Sequence, residues 1–256
     1  MRVFFSDQIT QPLKNSVVTV GSYDGLHYGH RILLDTVKLR ARQLKAQSLV
    51  VTFAPHPRQV LPSPDRIALL NSLNEKLFLL REAGIDNVLV INFDTRFAQM
   101  PYDRFVSDIL VAEAGMNYMV LGYNHHFGSN RKGDFASIEE LSQRFGFTAE
   151  RIERSDLDGQ KVSSTVVRKL IAAGDMHNAR QLLTRPYIII ADIDMNGSLS
   201  IGEKDKLVPP EGLYPVSVTH DHSSFEATLS IRTDGVLNIL DYKTLHCLKD
   251  AVIDFR

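Results

Sequence analysis

Val17-Val-Thr-Val-Gly-Ser-Tyr-Asp-Gly-Leu-His27-Tyr-Gly-His30 is the stretch that decides the fold. Residues 17–20 form a short apolar run that stops at Gly21, the pattern of a buried strand. Over about residues 28–45 the spacing turns helical, with Leu33, Val37 and Leu44 along one side. The turn between them holds Gly21, Ser22, Tyr23, Asp24, Gly25 and Gly29, with His27 and His30 three positions apart. Glycines let a backbone approach a ligand closely, and a helix N-terminus offers free N–H groups and a positive dipole end to phosphate. Imidazole N–H groups at such a mouth can donate to phosphoryl oxygens and stabilise charge that builds there. Taken alone, a His-x-x-His pair is more often an ordinary turn with two exposed rings. Zinc would want further His, Cys or carboxylate ligands in a persuasive pattern, and none is found. Gly-x-Gly-x-x-Gly and Gly-Lys-Ser/Thr are both absent, so the dinucleotide and P-loop fingerprints do not apply.

Outward from this unit, strands and helices alternate. Residues 48–53 read as a second strand, halted by Pro55 and Pro57. Ser72-Leu-Asn-Glu75 is a capping box, and its helix carries Leu73, Leu77 and Leu80 before a terminal Gly84. Residues 88–91 are a third strand. Pro101 opens a helix with Phe105, Ile109 and Leu110 that closes near Gly115. Residues 118–121 form a fourth strand, Ser137-Ile-Glu-Glu140 repeats the capping box, and residues 147–152 give a fifth strand. Two short helices, 165–172 and 176–183, are split by Gly174-Asp175. Such alternation predicts a parallel sheet covered on both faces, with ligands bound beyond the carboxyl ends of its strands.

Past Arg185-Pro186 the texture becomes β-rich: runs at 187–193, 213–219, 225–231 and 236–240, separated by turns that include Asn196-Gly197 and Asp234-Gly235. A short helix is expected around 245–252. The expected class is therefore α/β: a Rossmann-like domain over 1–186, then a small all-β domain over 187–256. The tail is marginal in size alone and is expected to pack on the first domain or to mediate self-association.

Composition bounds the function. The chain has 256 residues, 29 Lys+Arg against 30 Asp+Glu, and a formal net charge of −1. Broad, sequence-independent nucleic-acid binding needs a basic excess and is excluded. No stretch approaches the roughly 20 apolar residues that span a bilayer, and the N-terminus lacks a signal-peptide pattern. One cysteine, Cys247, excludes an intrachain disulfide and a multi-cysteine zinc module. A cytoplasmic protein, with no membrane and no nucleic-acid partner, is expected.

Five ordered blocks give a resemblance. Gly-Ser-Tyr-Asp-Gly-x-His-x-Gly-His is similar to the first motif of bacterial FAD synthetases, the bifunctional riboflavin kinase/FMN adenylyltransferases of the His-x-Gly-His nucleotidylyltransferase superfamily. Thr52-Phe-Ala-Pro-His-Pro57, Phe93-Asp94 with Phe97-Ala98, Gly122-Tyr-Asn-His-His-Phe-Gly128 with Arg131 and Gly133-Asp134, and Val162-Ser-Ser-Thr165 with Arg168 follow in the family's order. Together they cover about residues 1–186.

The resemblance implies a nucleotidylyltransferase fold and the reaction of ATP with FMN to give FAD and pyrophosphate, with Mg²⁺ accompanying ATP. By motif position His27, His30 and Arg168 are the catalytic candidates: the imidazoles hold the ATP phosphates and Arg168 neutralises the leaving pyrophosphate. Gly21, Ser22, Tyr23, Asp24, Gly29, Ser163, Ser164, Thr165 and Arg131 are implied around ATP, with Asp24 either shaping the turn or assisting the nucleotide site. For the three hydroxyl residues the competing reading is ordinary helix capping. Phe53, His56, Asn124 and Phe127 are implied around the flavin, with core packing an equal reading of Phe53. No protein metal ligands are assigned.

Two departures from the family stand out. Asn124-His-His126 replaces the usual Asp-Phe-Arg, which removes a bidentate donor. The tail lacks Pro-Thr-Ala-Asn, and too little chain follows Val218 to complete the family's kinase barrel, so riboflavin kinase activity is expected to be absent. Two other readings compete: transfer to another small phosphate ester, and a non-catalytic flavin- or nucleotide-binding paralogue.

Overall fold

A computed structural model of the chain describes residues 1–6, 12–62, 67–123, 135–153, 157, 159, 161–240, 242 and 247–256. These residues form two compact units. The first comprises Met1–Tyr23, Gly29–Ile67 and Leu79–Ser155; the second comprises Asp24–Tyr28, Ala68–Phe78 and Asp156–Arg256.

The first unit is built on β1 (Arg2–Phe5), β2 (Ser16–Val20), β3 (Gln47–Ala54), β4 (Asn87–Asn92), β5 (Met116–Leu121) and β6 (Thr148–Arg151). All five pairings are parallel, in the order β1-β4-β3-β2-β5-β6. Every residue of β2 is buried, as a central strand covered on both faces requires. The order reverses at β2, with β3 on one side and β5 on the other. This is the topological switch point where open α/β sheets bind ligands. Helix α1 (Tyr28–Gln43) begins just past that point and buries Leu33, Leu34, Val37 and Ala41.

The longer helices of this unit follow the predicted patterns, whereas the short helices Pro57–Val60 and Thr95–Ala98 were not anticipated. After α2 (Pro57–Val60) comes α3 (Leu73–Glu82), whose start carries the capping box: Ser72 N–H donates to Glu75 Oε2 at 2.9 Å and Glu75 N–H to Ser72 Oγ at 3.2 Å. The short α4 (Thr95–Ala98) and α5 (Tyr102–Arg104) follow. Past Pro101 the chain then widens into a π-helical segment, Phe105–Glu113, ending with Ala114 N–H on Ile109 O at 2.8 Å. Phe105 and Leu110, five positions apart, are both buried, and the wider turn brings them to one face. The second expected capping box is corrected: α6 runs Phe135–Phe145, so Ser137 lies inside the helix rather than at its cap. Strand β1 was not anticipated.

The second unit contains α7 (Ser164–Ala172), α8 (Met176–Leu183) and β7 (Ile188–Ile193), β8 (Leu199–Ser200), β9 (Gly212–His220), β10 (Ser223–Ile231), β11 (Leu237–Leu240) and β12 (Leu248–Phe255). The strands form an antiparallel sheet in the order β11-β10-β9-β12-β7-β8. Ser198 bridges Asn238, and Ile239 N–H donates to Gly197 O at 2.8 Å, so the first and last strands meet and the sheet nearly closes into a barrel. This is the small all-β, barrel-like module expected after the α/β part of the chain. The helix expected around 245–252 is also corrected. Strand β12 pairs with β7 and β9, and its register shifts between Leu248 and Ala251. A bulge at that point turns a helix-like three-residue apolar spacing into a strand. Val167, Ile171, Leu182 and Leu183 of the two helices join Ile189, Val216 and Leu229 of the sheet in one core.

Candidate active site

The turn after β2 is conformationally costly. Tyr23, Gly25 and Leu26 have φ of 49°, 87° and 40°. Left-handed backbone costs an L-residue about 1–2 kcal/mol, so this shape persists only where its surroundings impose it. At Gly25 the constraint is also steric, since a Cβ there would lie 2.7 Å from Leu70 Cδ1.

Asp24 supplies much of the restraint. Its side chain is buried; Oδ1 accepts from the Leu70 and Asn71 amides at 2.9 and 3.1 Å, and Oδ2 meets Arg168 Nη2 at 2.5 Å. Arg168 also donates Nε to Ala68 O at 2.7 Å and Nη1 to Ser164 O at 3.3 Å. Three of the five N–H groups of a guanidinium are thus committed among the described residues. Main-chain groups of the turn are taken as well. Asp24 O accepts from Ser164 Oγ at 2.8 Å, Gly25 N–H donates to Asn71 Oδ1 at 2.9 Å, and Gly25 O accepts from Arg185 Nη2 at 2.8 Å.

Through these contacts Asp24 shapes the turn. Ser163 caps α7, its Oγ accepting from Val166 N–H at 3.3 Å, so capping is the observed use of this hydroxyl. Ser164 ties α7 to the turn, and Thr165 is exposed on the first turn of the helix.

His27 immediately precedes α1 and is buried. Burial lowers its pKa to about 4, against the opposing pull of Asp24, so the ring is neutral at pH 7. His30, in the first turn of α1, is partly buried, with its ring 5.1 Å from that of Tyr23. Tyr23 is 1% exposed, its hydroxyl donates to Thr19 Oγ1 at 2.8 Å and its ring packs against that of His30. Gly21, Ser22 and Gly29 are partly exposed, and a Cβ on Gly21 would press on the Tyr23 ring at 3.1 Å.

Among the flavin candidates, Phe53 lies at the end of β3 with its ring 5.5 Å from Phe93 and 6.0 Å from Phe97. It is partly exposed. His56 caps α2: its Nδ1 accepts from Arg58 N–H at 3.1 Å and its own N–H donates to Gln59 Oε1 at 2.9 Å. Accepting at Nδ1 puts the proton of the neutral ring on Nε2. Asn124, Phe127 and Arg131, with His125 and His126, lie outside the described residues.

Sequence reasoning missed Asn71, Lys76, Arg185 and Lys206. Asn71 is 3% exposed, and its Nδ2 has no hydrogen-bond partner among the described residues. Because Gly25 N can only donate, the orientation of this amide is fixed. Lys76 is buried, and desolvation lowers its pKa to about 8 although Asp24 favours its charge. Lys206 is buried on Glu75 Oε2 at 2.7 Å. None of these four stands in a motif; the tertiary contacts of the 68–76 segment bring forward Asn71, Lys76 and Lys206, and the bond to Gly25 O brings forward Arg185. Among the described residues no group of three or more His, Cys, Asp or Glu is placed to hold a metal ion.

A parallel sheet with a His-x-Gly-His turn at its switch point defines a nucleotidylyltransferase class of fold. Residues 9–166 match the family model for FAD synthetase, and the chain belongs to that family. It is 32% identical over 215 residues to a bifunctional riboflavin kinase/FMN adenylyltransferase of Haemophilus influenzae, covering 80% of this chain and 70% of that one. A protein of the same description from Pseudomonas fluorescens is 33% identical over 227 residues, covering 85% and 73%. One from Listeria monocytogenes is 30% identical over 247 residues, covering 89% and 77%. A crystal structure described as a macrolide-efflux protein from Streptococcus pneumoniae aligns with a TM-score of 0.82 at 22% identity, covering 100% of this chain and 90% of that one; this likeness concerns the fold alone. Family membership carries the reaction: the chain is an FMN adenylyltransferase, joining ATP and FMN to give FAD. No helix among the described residues is long and apolar enough to cross a membrane.

Proposed function

We propose that the 21–30 turn and the start of α7 carry the transfer of AMP from ATP to FMN, with His27 and His30 as its catalytic residues. A phosphate oxygen of FMN attacks the α-phosphorus of ATP in line. The new P–O bond forms as the bond to the bridging oxygen of the β-phosphate breaks, and pyrophosphate leaves with that electron pair. No covalent enzyme intermediate is needed, so the protein contributes positioning and charge stabilisation. Imidazole N–H groups of His27 and His30 donate to the phosphoryl oxygens. Ser22, Gly29 and the Thr165 hydroxyl contribute donors along the triphosphate. The uncommitted N–H groups of Arg168 meet the departing pyrophosphate, while its other edge keeps Asp24 in place. The carrying observation is the His-x-Gly-His turn at the reversal of strand order.

On the acceptor side, Phe53, at the end of β3, stacks on the flavin rings and His56 donates from Nε2. Asn124, Phe127 and Arg131 are assigned by motif position alone. Mg²⁺ enters with ATP. It prefers phosphate oxygens and waters to an all-protein cage, which suits a site without a ligand cluster among the described residues. The functional boundary is set at 186/187, with the tail devoid of riboflavin kinase activity because 187–256 contains no Pro-Thr-Ala-Asn. A cytoplasmic setting fits a chain whose one cysteine, Cys247, is an exposed free thiol.

The test is direct: protein with FMN, ATP and Mg²⁺ yields FAD and pyrophosphate by chromatography, and riboflavin with ATP yields no FMN. Consumption of ATP only with a different phosphate ester would replace FMN as acceptor. Ligand binding with no turnover would make the chain a non-catalytic paralogue. FMN appearing from riboflavin would remove the kinase proposal.

A further inference from the structure

We propose that the C-terminal β-module serves adenylyl transfer by holding the turn of residues 24–28 in shape, with Arg185 as the positioning residue that reaches it directly. The activity half of this inference rests on the function proposed above; the structural half does not.

The inference stands on a connected set of polar contacts within the second unit. Arg185 stands at the entrance to the β-module, where its Nη1 donates to Pro186 O at 2.7 Å while its Nη2 holds Gly25 O at 2.8 Å. A second route runs through the 69–71 segment, whose Leu70 and Asn71 amides grip Asp24 and whose Asn71 side chain takes Gly25 N–H. That segment is pinned by the β-module. Leu69 N–H donates to Asp205 O and Leu207 N–H to Leu69 O, both at 2.7 Å, and Lys206 Nζ donates to Leu70 O at 2.7 Å.

The same ammonium reaches Ile188 O at 2.9 Å and Glu75 Oε2 at 2.7 Å, and lies 4.2 Å from the centre of the Tyr187 ring. Glu75 Oε1 in turn accepts from Ile190 N–H at 2.9 Å. The strand β7 and the groups that grip Asp24 and Gly25 are therefore one hydrogen-bonded body. A turn with three left-handed residues in four needs such outside restraint. Donors that stabilise transition-state charge must also be held to a fraction of an ångström. A module without the kinase motif thus still has a task, and Arg185 is its shortest link to the reaction.

Full-length Arg185→Gln and Arg185→Lys test this through hydrogen–deuterium exchange and steady-state FMN adenylylation. In Arg185→Gln, amides of the 22–30 peptide should exchange about tenfold faster or more, with β7 unchanged, and kcat should fall about tenfold or more with a smaller change in KM for FMN. Arg185→Lys, which keeps the charge without the fork, should restore part of both. Unchanged exchange over 22–30 overturns the proposal. Faster exchange with unaltered kcat also overturns it, leaving Arg185 a structural contact only. If the wild-type protein forms no FAD, the function proposed above falls; the exchange measurement needs no substrate and still decides whether the β-module holds the turn. If Arg185→Gln does not fold, the Lys variant is read by the same two measurements against wild type.

Discussion

Asp24 Oδ2 and Arg168 Nη2 stand 2.5 Å apart although 144 residues separate them in the chain, and their side chains are 3% and 16% exposed. The pair joins the turn that carries His27 to the helix that carries Thr165. Asp24→Asn keeps an oxygen for the Leu70 and Asn71 amides but leaves the Arg168 charge uncompensated. Breaking one side of a buried pair costs about 3 kcal/mol or more, so the urea midpoint should fall accordingly. A double-mutant cycle with Arg168→Gln should return a coupling of about 1 kcal/mol or more. Simple additivity would show that the pair does not act as a unit.

His27 makes a pH prediction. Its folded-state pKa, about 4, lies below the ordinary histidine value of 6.5. Between these values the unfolded chain binds the proton first, so stability is fully present above pH 6.5 and declines as pH falls toward 4. The loss attributable to this group is about 3 kcal/mol when complete. His27→Asn should flatten that slope in urea titrations at pH 7 and 4.5. NMR of labelled histidines should show the pKa of His27 rising on ATP binding, as phosphate charge favours the imidazolium; a value near 6.5 in the free protein would contradict the buried geometry.

Gly25 and Gly235 form a matched pair, with φ of 87° and 81°, but only Gly25 would drive a Cβ into a neighbour, Leu70 Cδ1 at 2.7 Å. Gly235→Ala should cost about 1 kcal/mol for conformation alone. Gly25→Ala should cost about 1–3 kcal/mol more through the clash and also lower kcat about tenfold. Equal losses would show that Leu70 yields without resistance.

Glu75 and Lys206 are both fully buried, with side chains 0% and 1% exposed. Lys206→Met strands the carboxylate and should cost about 3–5 kcal/mol. Glu75→Gln/Lys206→Met removes both charges and keeps one amide oxygen to accept from either Ser72 or Ile190 N–H, so calorimetry should show a smaller loss for the double variant than for Lys206→Met alone.

Periodicity predicted the parallel sheet because the strands flanking the site are apolar runs bounded by Gly, Pro and caps, and such local signals survive folding. The tail was harder. Bulging at 248/251 mimics helical spacing, and closure through Ser198 and Asn238 depends on partners about 40 residues apart. At the site, His27, His30 and the Ser163–Ser164–Thr165 run were legible as a motif. Asn71, Arg185 and Lys206 were not, because each acts by reaching a backbone atom far away in sequence, and backbone acceptors leave no trace in side-chain identity. The second role of Arg168, as the partner of Asp24, was hidden because 144 residues separate the two in the chain.

The stitching of β8 to β11 has a bearing on how copies of this chain could meet. A sheet whose outermost strands are joined offers little bare main chain to an incoming ribbon, so strand addition and fibrillar stacking find no ready template there. Assembly through the β-module would have to be written in side chains on its outer wall, and would be tunable by single surface substitutions that leave the ladder intact.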